Sequence, residues 1–208
     1  MRIVDVTAPG GEENLVLAEA DTPAPGPGEL VIAVVAAGVN RADLLQRQGF
    51  YPPPKGSSEV LGLEVSGRVH AVGEGVEGWT AGAPCVALLT GGGYAEYVVV
   101  PAGQVIPPPP GVDLVSAAGL IEVAATVASN FDHVHLAAGE TVLIHGGAGG
   151  IGTFAIQYAR ALGPASWPPR AARPSSSCAA RWAPRLPSTT TTTGRPWSAR
   201  PPAAAGST

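Results

Sequence analysis

The sequence is poor in the residues that build disulfide frameworks and metal centres. Only two of its 208 residues are cysteines, Cys85 and Cys178. Two cysteines form no disulfide framework, and their separation excludes a C-x-x-C metal motif. The four histidines are scattered, and His133 and His135, two positions apart, would not share a helix face. These absences predict that the chain has no metal site.

The sequence also lacks a hydrophobic run long enough to cross a bilayer and a charged-then-apolar N-terminal signal. Both features are needed for the usual membrane and secretory routes. We therefore expect no membrane association and a cytoplasmic location.

Acidic residues are absent from one end of the chain. All 16 lie in the first 163 residues together with six of the 12 basic residues, which gives that part a net charge of −10. Beyond Gly163 there are six arginines, nine of the 22 prolines, and no Asp, Glu, Lys or His. A segment of this composition buries too little apolar surface to offset its chain entropy. Residues 164–208 are therefore predicted to be a disordered tail.

The first hundred residues consist of short β-prone segments separated by Gly and Pro. Their spacing predicts an antiparallel, barrel-like domain. Helical patterns are expected at residues 41–48, which Asn40 would cap, and at residues 114–130. The predicted strands are 2–6, 15–20, 29–37, 64–72, 84–89 and 95–100.

Residues 141–160, TVLIHGGAGGIGTFAIQYAR, combine a β-branched run, a glycine-rich turn and a helical pattern. Gly147, Gly149 and Gly152 fit G-x-G-x-x-G, in which the first glycine permits the turn, the second admits a pyrophosphate and the third allows close packing. The helix N-terminus would bind the pyrophosphate. The alternative is an ordinary tight strand-to-helix turn without a ligand.

Four segments together carry a family resemblance: AAGVNRADLLQRQGFYPPP, LGLEVSGRVHAVG, GGGYAEYVVVP and the glycine-rich segment. Over residues 1–163 the chain resembles the zinc-free, zeta-crystallin-like quinone oxidoreductases of the medium-chain dehydrogenase/reductase superfamily. The resemblance implies an α+β and α/β architecture: a GroES-like β-barrel catalytic domain at 1–120, then the first strand and helix of an incomplete Rossmann domain at 121–163. It also implies NADPH as cofactor, a quinone or other small electrophilic substrate, and homo-oligomers among full-length relatives.

The resemblance also bears on zinc. Zinc-dependent members carry Cys at the position of Asn40 and His at the position of Leu63, which precedes Glu64. Without a Lewis acid, a substrate that is already electrophilic needs positioning and a nearby hydrogen-bond donor. A quinone or activated enone meets this condition.

Residue roles follow from the matching positions. The family's catalytic residues are resembled by Asn40, Asp43 and Tyr51. The alternative roles are a helix cap for Asn40, a solvated helix charge for Asp43 and a packed loop aromatic for Tyr51. Thr126 matches a threonine beside the nicotinamide, but it could instead bond its own helix backbone. The implied cofactor-binding residues are Asn40, Thr126, Gly147, Gly149, Gly150, Ile151 and Gly152.

After Gly163 the resemblance stops. The segment PASWPP stands where relatives continue into a central strand, and its prolines remove ladder donors. A shifted reading frame accounts for the change, because codons compatible with residues 178–190 read in another frame as Cys-Arg-Ala-Leu-Gly-Ala-Glu-Val-Ala-Ile-Asp-Tyr, which resembles the family's next segment. The chain is then expected to be truncated, marginally stable and weak in NADPH binding.

Three functions remain open. The first is an NADPH-dependent quinone oxidoreductase, and the second is an enoyl-thioester reductase on a similar fold. The third, from another class, is a nonenzymatic binding protein whose basic tail contacts nucleic acid. Dispersal of the tail arginines among prolines argues against nucleic acid as a partner.

Overall fold

The computed structural model describes residues 1–163 of the chain. The predicted disorder and the frameshift origin of residues 164–208 lie outside the described residues. No helix of residues 1–163 is both long and apolar enough to span a membrane. The described elements are β1 (Arg2–Val6), β2 (Leu15–Glu19), β3 (Glu29–Ala37), α1 (Arg41–Arg47), β4 (Glu64–Val72), β5 (Pro84–Leu88), β6 (Tyr97–Pro101), β7 (Val105–Ile106), α2 (Leu114–Ala117), α3 (Ile121–His133) and α4 (Gly150–Ala161).

The main sheet is antiparallel, as the sequence predicted, with strand order β6-β3-β4-β5-β7. The pairing of β3 with β4 shifts register between Val31 and Ile32 and again between Val34 and Ala36. Such irregularities bend a strand and increase its twist, so the sheet curls. Strands β1 and β2 form a separate antiparallel pair, which a single bridge between Ile3 and Ala95 joins to the segment before β6.

The core lies inside the curled sheet and is built largely from aliphatic side chains of β3, β4, β5 and β6. Trp79 packs at its edge. A smaller cluster joins Val86 of β5 to Ala117 of α2 and Ile121 of α3. The main core consists of Leu30, Ile32, Val65, Val69, Cys85, Ala87, Leu89, Val98, Val100 and Val105. Together these features are those of a GroES-like domain followed by a few helices.

The helical pattern predicted at residues 114–130 is divided in the structure. Asp113 caps α2 by accepting the backbone N–H of Ser116 at 3.0 Å, and α3 begins at Ile121. Gly119, a poor helix former, lies between the two. The sequence pattern was misread as continuous because both helices turn an apolar residue towards β5.

The strand predicted at the start of the Rossmann segment is not formed. Residues 141–144 have no strand assignment, and Leu143 is 75% exposed. A parallel strand is stabilised by neighbours on both sides, and no strand within residues 1–163 pairs with this segment. Helix α4, the other predicted element of that segment, is present.

Candidate functional site

Two polar residues begin the site at the N-terminus of α1. Asn40 is the N-cap residue in extended conformation, and it forms a capping box with Asp43. In this box Asp43 Oδ2 accepts the backbone N–H of Asn40 at 2.7 Å. The carboxylate also lies in the first helical turn, where the helix dipole favours negative charge. The local sequence N-R-A-D thus orients both side chains.

Asp43 is almost completely buried, at 2% exposure. Besides Asn40, its carboxylate accepts the backbone N–H of Gly62 at 3.3 Å and the hydroxyl of Tyr94 at 3.0 Å. Burial raises the pKa of Tyr94, and the charge of Asp43 raises that pKa further. Tyr94 therefore stays protonated and acts as a hydrogen-bond donor, so three donors hold the Asp43 carboxylate in place.

Glu64, at the start of β4, is buried at 1% exposure. Its Oε1 accepts the Asn40 side-chain Nδ2–H at 2.9 Å, and its Oε2 accepts the backbone N–H of Glu122 at 3.0 Å. A Cβ atom at Gly38 would overlap the Glu64 carboxylate. The missing side chain at Gly38 therefore gives this carboxylate its space, and Glu64 connects α1 to the N-terminus of α3.

Glu122 and Thr126 continue the chain of contacts along α3. Thr126 Oγ1 donates to Glu122 Oε1 at 3.4 Å. Desolvation raises the pKa of Glu122, and the nearby charges of Glu64 and Asp43 raise it further. One hydrogen-bonded network therefore contains two of the predicted catalytic residues, Asn40 and Asp43, and two of the predicted cofactor residues, Asn40 and Thr126.

The buried carboxylates of Asp43 and Glu64 are balanced by dipoles rather than by cations. The two ion pairs among residues 1–163, Arg2–Glu96 and Arg47–Glu12, lie elsewhere. Each buried carboxylate instead accepts a backbone N–H from a helix N-terminal region, α1 for Asp43 and α3 for Glu64. Such donors and the positive end of the helix dipole stabilise an anion.

The glycine-rich turn is the second part of the site. Gly146 has a positive φ of 66°, which residues with a side chain rarely adopt. The turn therefore depends on Gly146, and the turn-forming role predicted for Gly147 is wrong. Gly149, the N-cap of α4, donates its N–H to the Gly146 carbonyl at 2.9 Å. A Cβ at Gly152 would overlap the same carbonyl oxygen, which agrees with the packing role predicted for Gly152.

Packing within the protein does not require glycine at three positions of the turn, Gly147, Gly149 and Gly150. A Cβ at each would meet its nearest neighbour only at 3.4 Å, close to ordinary contact. The turn also precedes a helix of 12 residues, whose first N–H groups have no acceptor within the helix. An open glycine surface beside unpaired N–H groups fits a pyrophosphate.

Helix α3 connects the glycine turn to the carboxylate network. A Cβ at Gly150 would contact Val123, the residue after Glu122. Further along, Phe131 of α3 packs against Tyr158 of α4 with ring centroids 5.9 Å apart. Helices α3 and α4 therefore pack against each other, with Val123 beside the start of α4.

Tyr51 does not join the network. It lies in the loop after α1, is 45% exposed, and makes none of the network's hydrogen bonds described above. Glu64, Tyr94 and Glu122 were not singled out as site residues from the sequence. A signal was present for Glu64, since a carboxylate opens a β-prone segment and is followed directly by three small or aliphatic residues, Val65, Ser66 and Gly67, which are all buried.

The donor set near Asn40 is oxygen-rich and lacks soft ligands. Cys85, the free cysteine of the described region, is buried in the core and faces the Gly67 carbonyl. Within residues 1–163, no three His, Cys, Asp or Glu side chains are grouped so that they could hold a metal ion.

Comparisons with known proteins agree with this fold. Residues 26–110 match the family model of the alcohol dehydrogenase GroES-like domain. The chain is 37% identical over 165 residues to the mouse synaptic vesicle membrane protein VAT-1 homolog, a match that covers 78% of this chain and 41% of the relative. It is 37% identical over 163 residues to the quinone oxidoreductase of Pseudomonas aeruginosa, with 77% and 50% covered.

Solved structures show the same architecture. The crystal structure of the human VAT-1 homolog-like protein superposes with a TM-score of 0.72 at 33% identity, covering 78% of this chain and 53% of that one. The CurK enoyl reductase gives 0.71 at 28%, covering 77% and 51%. A cobalt- and zinc-bound alcohol dehydrogenase from Pyrobaculum aerophilum gives 0.67 at 34%, covering 78% and 57%.

The fold and the family model define a GroES-like domain at residues 26–110, which is followed by helices α2 and α3, the glycine-rich turn and helix α4. The chain spans 41% and 50% of the length of the two curated relatives named above.

Proposed function

We propose that this chain carries the catalytic half of an NADPH-dependent oxidoreductase that reduces quinones or activated enones. The observation that carries the proposal is the network in which Asn40, Asp43 and Thr126 meet through Glu64 and Glu122. Helix α3, which carries Glu122 and Thr126, also places Val123 next to Gly150 in the glycine turn, and that turn can accept a pyrophosphate. The quinone oxidoreductase among the relatives supports the reaction class.

The residues would divide the work between binding and orientation. The backbone N–H groups of Gly150, Ile151 and Gly152 would hold the pyrophosphate, with Gly147 and Gly149 leaving room for it. When bound, NADPH supplies a hydride, which with one proton converts a quinone into a hydroquinone. Asn40 would donate a hydrogen bond at the reacting group, and Asp43 would fix the Asn40 backbone. We assign Tyr51, which is exposed in the loop after α1, to orienting the cofactor or substrate, and Thr126 to the nicotinamide side.

We further propose that the reaction needs no zinc. The argument rests on the side chains present: Asn40 offers a carboxamide and Leu63 offers no ligand atom, so soft ligands are missing at this place. Activity that is unchanged by prolonged treatment with a strong chelator would support this. Loss of activity on chelation, with recovery on adding Zn²⁺, would contradict it.

Reduction of an enoyl thioester is the second candidate. The structural match to the CurK enoyl reductase favours it. The two candidate functions differ in the substrate that the site would reduce, a quinone or an enoyl thioester. The rate of NADPH oxidation with duroquinone is therefore compared with the rate for a crotonyl thioester, and the larger kcat/KM identifies the better substrate class.

Dinucleotide binding can be tested without turnover. Gly149 has φ −81° and ψ 171°, which suit any N-cap residue, so Gly149→Asp and Gly149→Asn both preserve the helix. Only Asp places a negative charge beside the pyrophosphate. We expect Gly149→Asp to weaken NADPH binding about tenfold or more relative to Gly149→Asn, because charge repulsion acts at close range. Titration of NADPH fluorescence measures this, with NADH as comparison. Equal affinities for the two variants would contradict a pyrophosphate site at α4.

A further inference from the structure

The Asn40 carboxamide has its orientation set by a neighbouring buried charge. A carboxylate is only an acceptor, so the Nδ2 of Asn40, rather than its Oδ1, must face Glu64 Oε1. The amide group carries two N–H bonds, and the contact with Glu64 uses one of them. The second N–H remains as a donor whose direction is determined by the first.

We propose that Glu64 is the positioning residue for Asn40, and that it directs the second Nδ2–H of Asn40 towards a carbonyl oxygen of the bound substrate. The inference rests on the proposed oxidoreductase function and deepens it. When a carbonyl compound accepts a hydride, the displaced electron pair goes to its oxygen, which then takes a proton. A donor held in place before the reaction stabilises that developing charge without reorganisation.

Glu64 is suited to this task because both of its oxygens are anchored. While Oε1 holds Asn40, Oε2 accepts the Glu122 backbone N–H at the start of α3. That helix N-terminus offsets the charge of the carboxylate, which would otherwise oppose negative charge on a substrate. Gly38 leaves the space that the carboxylate fills. Glu64 itself is buried at 1% exposure, so it acts through Asn40 and does not contact substrate.

The positioning role is tested first in the ligand-free protein by NMR of the full 208-residue chain labelled with ¹⁵N. The chain has three asparagines, Asn14, Asn40 and Asn130, so Asn40→Asp identifies the Asn40 side-chain signals by their loss. We expect one of the two Asn40 Nδ2 protons to be shifted downfield and slow in exchange with water, because it is bonded to Glu64. The other proton should exchange faster.

Two variants and one control decide the outcome. Glu64→Gln removes the charge, and Gly38→Ala keeps the charge but displaces the carboxylate. Both should move the chemical shifts and exchange rates of the two Asn40 protons towards those of a free carboxamide, whose two protons already differ by a small, known amount. Ser66→Ala, also buried on β4, should preserve the unmodified shifts and exchange rates, and circular dichroism confirms that each variant is folded. If the two Asn40 protons behave as in a free carboxamide in the unmodified chain, or keep their unmodified shifts and exchange rates in both variants, Glu64 does not position Asn40.

The contact with a carbonyl is tested with NADP⁺ and duroquinone, a pair that cannot react. Addition of the pair should shift the faster-exchanging Asn40 proton. In turnover, Glu64→Gln should lower kcat roughly 10- to 100-fold with little change in the KM for NADPH, since misplacing a donor affects the reaction more than binding. Duroquinone binding without a shift at Asn40 overturns the carbonyl contact. If neither dinucleotide nor quinone binds the unmodified chain, the proposed function fails, and the ligand-free spectra still decide whether Glu64 positions Asn40.

Discussion

Replacing Asp43 by Asn should destabilise the fold strongly, although the side chains have the same shape. The carboxylate accepts three hydrogen bonds, from Asn40 N–H, Gly62 N–H and the Tyr94 hydroxyl. The Asn amide oxygen can keep the two bonds at Oδ2, but its NH₂ group then faces the buried Gly62 N–H. Leaving that donor unpaired costs about 1–3 kcal/mol, and each remaining bond loses about 1 kcal/mol with the charge. Relief of the buried charge offsets part of this cost, so we expect a loss of about 3 kcal/mol.

Urea denaturation followed by far-ultraviolet circular dichroism measures this loss. Asp5→Asn is the matched control, because Asp5 is exposed and bonds only the neighbouring Val6 N–H. The control should stay within about 0.5 kcal/mol of the unmodified chain. Tyr94→Phe alone should cost about 2 kcal/mol, and less in the Asp43→Asn background because the two residues share a hydrogen bond. An Asp43→Asn variant as stable as the control, or fully additive effects of the two substitutions, would refute the network as described.

Three further predictions concern single groups. Folding raises the pKa of Glu122 above its ordinary value of 4.5, so the stability of the fold decreases as the pH rises from 4.5 through the raised pKa. Glu122→Gln should therefore increase the free energy of unfolding by less than about 1 kcal/mol at pH 7, given solvent screening, and leave it unchanged at pH 4. Urea denaturation curves at both pH values measure this difference. Burial raises the pKa of the Cys85 thiol to about 11. In a Cys178→Ser background, alkylation of Cys85 at pH 8 should therefore be about 100-fold or more faster in urea, where the chain is unfolded, than in the folded protein. Equal alkylation rates in the two states would contradict the burial of Cys85. Gly152→Ala should speed hydrogen exchange of the α4 amides, with a cost of about 1–3 kcal/mol from overpacking, while Gly147→Ala should leave exchange nearly unchanged; the reverse order would contradict the turn geometry.

The sequence was sufficient for the elements whose signal is local. Strand segments 29–37 and 64–72 were predicted with the bounds that the structure has. Each segment is rich in β-branched residues and is bounded by glycine or proline residues that interrupt a strand. Asn40 was predicted as the cap of α1, and the structure has it at that position. A capping box spans only four residues, so its pattern is readable from adjacent letters.

Elements that form only when another strand or backbone segment packs against them could not be predicted from the local sequence. Residues 141–144 have the β-branched composition of a strand, but a parallel strand needs neighbours to pair with, and none of the described residues supply them. The turn glycine was misassigned by one position, because G-G-A-G-G offers several registers for the motif. Only the backbone shows that Gly146 has the positive φ and that Gly152 packs against its carbonyl.

The sequence by itself determined the capped α1 and the glycine turn before α4, because each depends on residues close together in the chain. Only the tertiary structure decided that Glu64, 24 positions from Asn40 and 58 from Glu122, joins them into one network. That network exists because the curled sheet brings the start of β4 to the N-termini of two helices, whose N–H groups make a buried carboxylate tolerable. Contacts of this kind are set by folding in three dimensions and leave no periodic trace in the sequence.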